Sequence, residues 1–459
     1  MPGMKADLIS ANTLRSWFSQ ALSDMYRTEV PQYGTLLTLV ADINASELAD
    51  KPDQREALER TDELARLDLE RHGAIRLGTA AELAMIRRVF AVLGMTAVGY
   101  YDLSVAGVPV HSTAFRPVDD EALRLNPFRV FTSLLRLELI EDAALRETAQ
   151  AILARRQIFT PGCVSLVEQA EAAGGLTAEE GRRFVAEALE TFRWHSDATV
   201  DLATYQQLKG AHPLIADVVC FKGPHINHLT PRVLDIDRAQ AAMGERGMRA
   251  KASIEGPPRR VVPILLRQTS FLALEEPIVF GAGEAARDGT HTARFGEIEQ
   301  RGCALTPAGR ERYDTLLAQS RAAGGGAALA EAFRAFPDDV ETLYRDRLIH
   351  VRYTANTSRL AAGEVPPVNR DDVDALVAAG WLQITPQVYE DFLPVSAAGI
   401  FQSNLGGNEN DAYAGGGNRP AFEVALGGPV QDEFALYRES EAASLREALA
   451  RLAGAAKAA

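Results

Sequence analysis

Three short stretches hold the side chains whose types and spacing could do metal chemistry: LERHGAIRLG with His72 and Arg76, FKGPHINHLTPR with His225 and His228, and FGEIEQRG with Glu297 and Glu299. His72 and Arg76 stand four residues apart, which places them on one side of a helical turn or, because the separation is even, on one face of a strand. Gly73 between them permits close backbone approach. The Gly-Pro-broken histidine stretch follows an apolar run, and turns of that kind aim polar groups into cavities. Glu297 and Glu299 alternate with Ile298, so on a strand both carboxylates face one way, and a buried face bearing Glu needs a counter-charge or a metal. Two imidazoles and one carboxylate with open coordination positions form the facial arrangement of non-haem Fe(II) enzymes that use O2. Zinc accepts the same donors. No HExxH-type local motif links the candidates, so spacing alone leaves the choice open, with His225 and Glu299 either alternative ligands or hydrogen-bond partners of ligands. On its own, Arg76 reads as a salt bridge to Asp68 or Glu70. His111 and Arg267 lie in β-patterned segments, as pocket liners or as a core histidine and a structural ion pair. His291 reads as loop surface and His195 as the border of a helical segment.

The elements that must position these groups are legible in outline. Leu14, Trp17, Phe18, Leu22 and Met25 make a helical stripe over 11–29 that Asn12 or Thr13 could cap. Leu58, Leu64 and Leu67 keep helical spacing within 53–71, and 79–93 is a further predicted helix. MTAVGYYDLS and VPVHSTAFRPV read as two strands around a glycine turn. Residues 119–205 turn helical, with LRETAQAILARRQ and TAEEGRRFVAEALETFRW each following a helix-start signal. From Leu214 the β grammar returns in IADVVCF, VVPILLRQTSFLAL, EPIVFG and HTARFGEIEQRG, which suggests a duplicated β module. AAGGGAALAEAF reads as a linker between helices, and SLREALARLAGAAKAA as a closing helix. Strands that come in groups rather than in βαβ alternation indicate an α+β fold.

Composition limits the partners. The 459 residues carry a net charge of −14 with Lys and Arg dispersed, which excludes the basic footprint of a nucleic-acid or anionic-membrane binder. Cys163, Cys220 and Cys303 match no zinc or disulfide spacing, and no apolar run reaches the length of a membrane span or a secretory signal. The expected location is cytoplasmic. Nothing in the sequence assigns an oligomeric state.

Seven long strings, LERHGAIRLGTAAEL, GYYDLSVAGVPVHSTAFRP, NPFRVFTSLLRLELI, VVCFKGPHINHLTPRVLDID, PILLRQTSF, HTARFGEIEQRG and VYEDFLPVSAAGIFQSNLG, resemble the bacterial 2-oxoadipate dioxygenase/decarboxylase (D-2-hydroxyglutarate synthase) family. The resemblance runs from about Leu14 to about Ser440. It implies a vicinal oxygen chelate fold of paired βαβββ modules in a half-open barrel, with a helical insertion and terminal helices. The corresponding division is a first module over 1–118 with His72 and Arg76, the helical insertion over 119–205, a second module over 206–310 with His228 and Glu297, and a helical, pocket-closing segment over 311–459. It further implies Fe(II) held by His72, His228 and Glu297, and substrate contacts from Arg76, Val395 and Ser396. The implied reaction converts 2-oxoadipate and O2 to D-2-hydroxyglutarate and CO2 in lysine catabolism. A 2-oxo acid can chelate a metal through its keto oxygen and adjacent carboxylate, and a planar guanidinium can hold a distal carboxylate bidentately, so the residues suit that chemistry. A non-redox divalent-metal isomerase or hydrolase acting on a related oxo-dicarboxylate is the alternative, because these donors do not identify the metal. A metal-independent dicarboxylate-binding protein is the third reading.

Overall fold

The N-terminal stripe forms the expected helix, Ala11–Glu29, in a computed structural model that describes residues 7–458 apart from 273–274, 282–286, 293, 325, 363, 365–371 and 394–417. Its cap is Ser10, whose hydroxyl accepts from the Thr13 amide, so the helix begins just before the residues expected to cap it. Helices Pro31–Asp50, Pro52–Arg60 and Leu64–Leu67 then carry the chain to the first strand.

Four strands and one crossover helix make the frame of the site. β1 (Arg71–Leu77) leads into the helix Ala80–Val92, where Thr79 and Glu82 form a reciprocal capping box. β2 (Thr96–Asp102) and β3 (Val110–Arg116) pair antiparallel with an irregularity between Val98 and Tyr101, as the glycine turn and alternation predicted. β4 (Arg129–Leu135) inserts between β3 and β1, parallel to β1. Residues 129–135 thus form a central strand inside the stretch read as helical. All seven are buried, so VFTSLL shows little alternation to mark it as a strand. Beyond it the helices Ala143–Leu153, Pro161–Ala173 and Ala178–Leu189 do follow.

After the two-residue strand β5 (Asp197–Ala198) comes a second departure from expectation. IADVVCF forms no strand but lies in and just beyond the helix Pro213–Val219, preceded by the helix Leu202–Ala211. Pro213 occupies the first turn and the His212 side chain accepts from the Leu214 amide. Leu214 through Val219 are all buried, so the run lacks the polar face that would reveal a helical period.

β6 (Leu229–Pro231) then pairs antiparallel with β1, completing the order β2-β3-β4-β1-β6. β7 (Leu266–Ser270) and β10 (Glu297–Arg301) pair antiparallel, and β10 meets the end of β6 through a parallel Arg232–Glu299 bridge. β8 (Glu275–Phe280) and β9 (Arg287–Thr292) join β5 in a separate three-stranded sheet. The second strand-rich stretch is therefore shared between two sheets. Among the described residues no sheet closes on itself. β11 (Val351–Ala355) and β12 (Leu382–Pro386) form a two-stranded unit against the final helix, Glu433–Ala458, which starts well before the expected SLREAL. Gly324 and Gly326 link Pro307–Ala322 to Ala327–Ala332 as expected.

Apolar layers cover both faces of the main sheet. Ile75, Leu77, Phe115 and Val130 face a core built with the N-terminal helices, and Ala74, Val110, Ala114 and Phe131 face one shared with the C-terminal half. Each such large side chain stabilises the fold by roughly 1.5–3 kcal/mol. Among the described residues no helix is long and apolar enough to cross a membrane.

Candidate metal and substrate site

Strand register assembles the donors. In β1, His72, Ala74 and Arg76 share one face. His72 lies opposite Thr230 in β6, and His228, two residues before Thr230, projects to the same side. The Arg232–Glu299 bridge continues the row, so Glu297 comes level with Thr230. Three sequence-distant segments therefore meet because one residue of each stands in line across adjacent strands. The close approach depends on Gly73. A Cβ there would lie 2.4 Å from Ile226 Cδ1 and 3.0 Å from the His228 carbonyl oxygen.

His72, His228 and Glu297 are fully buried and offer donor atoms that all lie within 4.8 Å of one another. Glu297 Oε2 stands 3.2 Å from His72 Nε2 and 3.6 Å from His228 Nε2. It accepts from Thr230 Oγ1 at 2.8 Å and Gln268 Nε2 at 3.0 Å, while Oε1 and both His228 nitrogens are buried without a hydrogen bond. Buried polar atoms left in that state are costly, and a cation at their centre removes the cost. The donor set therefore fits a divalent metal with open positions.

Outer groups fix these donors. Glu299 Oε2 lies 2.8 Å from His72 Nδ1 and its carboxylate is gripped by Arg301 at 2.8 and 2.9 Å. That contact assigns the Nδ1 proton and leaves the His72 Nε2 lone pair facing Glu297. Burial opposes charge on Glu299, yet Arg301 and His72 pull its carboxyl down to about 2. Burial likewise lowers His72, but the neighbouring Glu299 and Glu297 carboxylates raise it overall. His228 falls well below the ordinary imidazole value, through burial first and then the charges of His72 and Arg76. It is thus neutral, as a ligand must be. Phe392 packs edge-on against His72 at 4.9 Å and Phe295 lies tilted against His228 at 4.8 Å, so both imidazoles sit against an apolar wall.

Beneath the site, Glu70 accepts from Arg66 and Arg232 and pairs with Arg129, and Glu390 pairs with Arg66 and Arg129. Arg301 Nη1 donates to the carbonyls of Tyr389 and Asp391, and Arg116 holds the Asp391 carboxylate. This network fastens residues 389–392 beside the donors. Val395 and Ser396 lie outside the described residues.

Arg76 pairs with Asp217 at 2.6 Å across 141 residues of chain rather than with Asp68 or Glu70, the latter being engaged by other arginines. Asp217 is held in turn by His291 Nε2 at 2.9 Å and faces His225 Nε2 at 3.4 Å. Burial would push the Asp217 carboxyl up, but His225, Arg76 and the hydrogen bonds from both histidines keep it well below the usual range. His225 thus belongs to the Asp217 cluster, outside the triad of donors. His291, expected on a loop surface, is buried on β9 because it bonds Asp217 and Tyr205. His111 projects to the opposite face of β3 against Tyr100 and Phe422, and burial, reinforced by Arg136, lowers it to about 4. Arg267 grips Asp237 at 2.6 and 3.0 Å, a structural ion pair. His195 is half-buried just after the third insertion helix, the bordering position expected of it. Asp217, Thr230 and Gln268 escaped the sequence reading. Thr230 had a signal, since it alternates in step with His228, whereas Gln268 stands in a strand with no candidate donor and Asp217 was hidden in a run read as a strand.

Comparisons with known proteins point to one family. A family model described as 2-oxoadipate dioxygenase/decarboxylase matches residues 18–404. A protein of that name from Escherichia coli is 58% identical over 448 residues, 96% of this chain and 99% of its own length. One from Pseudomonas putida is 56% identical over 451 residues, 96% and 97% of the two chains, and one from Mycobacterium bovis is 41% identical over 445 residues, 94% and 96%. The crystal structure of a hydroxyglutarate synthase from Pseudomonas putida in complex with 2-oxoadipate superposes with a TM-score of 0.91 at 55% identity, covering 97% of this chain and 99% of that one.

Proposed function

This chain belongs to the 2-oxoadipate dioxygenase/decarboxylase family and is an enzyme of that kind, and from that premise we propose that it converts 2-oxoadipate and O2 to D-2-hydroxyglutarate and CO2 with Fe(II) held by His72, His228 and Glu297. The observation that carries the reading is the buried two-imidazole, one-carboxylate cluster with donor atoms lacking hydrogen-bond partners, on the same strand face as an arginine. The metal would supply activation of O2 next to a chelated 2-oxo acid, coupling loss of the first carboxyl as CO2 to conversion of the keto carbon into a carboxylate and hydroxylation of the methylene beside it, one oxygen atom going to each.

The chain's own residues do the rest. Glu299 keeps the His72 tautomer correct, and Thr230 and Gln268 orient Glu297. Phe392 and Phe295 limit water beside the donors. Arg76, four residues along the strand from His72, receives the distal carboxylate, so chain length is measured between the metal and the guanidinium. Val395 and Ser396 complete the substrate contacts in this reading. The main sheet, extended through β6 to β10, corresponds to the half-open barrel of a vicinal oxygen chelate protein. The reaction takes its place in lysine breakdown in the cytoplasm.

The test is to load the purified protein with Fe(II), add 2-oxoadipate and follow dissolved O2 and the organic product against a chelated control. Equimolar O2 loss and 2-hydroxyglutarate formation is expected. Conversion of an oxo-dicarboxylate without O2 consumption would instead identify a non-redox metal enzyme.

A further inference from the structure

Arg76 does not stand alone on its strand face. Its Nη1 donates to Asp217 Oδ2 at 2.6 Å, and Asp217 sits on the buried helix Pro213–Val219, a different element from the strand that carries His72 and Arg76. The other Asp217 oxygen accepts from His291 Nε2 at 2.9 Å. A carboxylate only accepts, so Nε2 carries the His291 proton and Nδ1 is left to accept from the Tyr205 hydroxyl, also at 2.9 Å. Trp194 packs against both imidazoles around Asp217, edge-on to His225 at 4.7 Å and parallel to His291 at 6.1 Å. With its carboxamide oxygen turned toward Arg76, Asn227 accepts from the same Nη1 at 3.0 Å and donates to the Ala74 carbonyl at 3.2 Å. The guanidinium is therefore fixed from two sides by groups that are themselves fixed.

We propose that Asp217, braced by His291 and Tyr205, is a positioning residue that sets the chain length of the dicarboxylate this enzyme accepts. The inference rests on the proposed role of Arg76 and goes beyond it. An arginine on a flexible stem could follow carboxylates of several reaches, but one clamped by a buried carboxylate presents its donors at a single distance from the metal. Asp217 also acts as a stop. A diacid one methylene too long would press its terminal carboxylate toward that of Asp217, a like-charge approach in a dry pocket, while one too short would leave the guanidinium unmet. Discrimination thus comes from a repulsive element as well as an attractive one.

The test measures binding of four ligands to Fe(II)-loaded protein by anaerobic calorimetry: 2-oxo diacids of five, six and seven carbons, and 2-oxohexanoate, which lacks the distal carboxylate. For Asp217→Asn the six-carbon diacid should bind about tenfold more weakly and the seven-to-six preference should rise about tenfold, each step being about 1.4 kcal/mol, whereas 2-oxohexanoate should change by less than about twofold. Tyr205→Phe removes only the outermost hydroxyl and should shift the same preference in the same direction by about twofold to threefold, which keeps the idea testable should the buried Asn variant fold poorly. An unchanged chain-length profile in a folded variant would overturn the role of Asp217. So would equal losses for diacids and monoacid, which mark a merely structural residue. If the unmodified protein itself binds diacid and monoacid alike, the assignment of Arg76 is what fails.

Discussion

At the scale of single residues, the account separates groups that hold metal from groups that hold substrate. His72→Ala, His228→Ala and Glu297→Ala should each lose stoichiometric iron, whereas His225→Ala, whose ring faces Asp217, should keep it. Metal analysis of the four purified variants decides this, and iron lost from His225→Ala but kept in His228→Ala would exchange the two assignments. Arg76→Ala should retain iron and bind 2-oxoadipate roughly 10- to 100-fold more weakly, the worth of a charge-assisted contact of about 1.5–3 kcal/mol, as titration of the loaded protein would read. The candidate donors were legible as residue types, because two His and two Glu stand in stretches patterned for a strand or a turn. Which of each pair binds was not legible from spacing. That choice is made by register, since Glu297 comes level with Thr230 while Glu299 reaches the outer nitrogen of His72. The partner of Arg76 was equally hidden, because an ion pair across 141 residues leaves no local trace.

At the scale of elements, the site exists because β6 and the HINH segment lie flush against β1 at Gly73. Gly73→Ala would drive a methyl into Ile226 and toward the His228 carbonyl. The expected result is a stability loss of about 1–3 kcal/mol from overpacking, with iron affinity lowered about tenfold as His228 is displaced. Urea unfolding and a metal titration would check both, and unchanged iron affinity would show that the donors do not depend on this contact. Ala11–Glu29, with one wet face, was readable from its periodicity, and the β2–β3 pair from its glycine turn and strand-forming residues, although β3 is buried throughout. β4 and the helix Pro213–Val219 were not, because complete burial removes the polar alternation that distinguishes strand from helix.

At the scale of the whole molecule, charged groups buried between the layers tie the two cores together at the site. Burial would raise the carboxyl of Glu390, but Arg66 and Arg129 bring it down to about 2, and Glu70 likewise lies well below its ordinary value beside Arg66, Arg232 and Arg129. Both are depressed on folding, so the stability they contribute is complete above the unfolded carboxyl value near 4.5 and drains away as pH falls toward about 2. The urea midpoint should therefore stay flat from neutrality to about pH 5 and then drop steeply, and Glu390→Gln should lower the neutral plateau by about 3–5 kcal/mol by leaving buried arginines uncompensated. A midpoint independent of pH down to 3 would contradict the buried-charge account. The α+β class was readable in the grouping of strands, while the division of the second strand-rich stretch between two sheets depends on long-range pairings that no local pattern encodes. The most direct test of the central claim is turnover of 2-oxoadipate under 18O2 with mass analysis of product and gas. Two labelled atoms in 2-hydroxyglutarate, one in the new carboxylate and one in the hydroxyl, with unlabelled CO2, is the predicted result; a product whose oxygen comes from water would contradict the dioxygenase chemistry assigned to His72, His228 and Glu297.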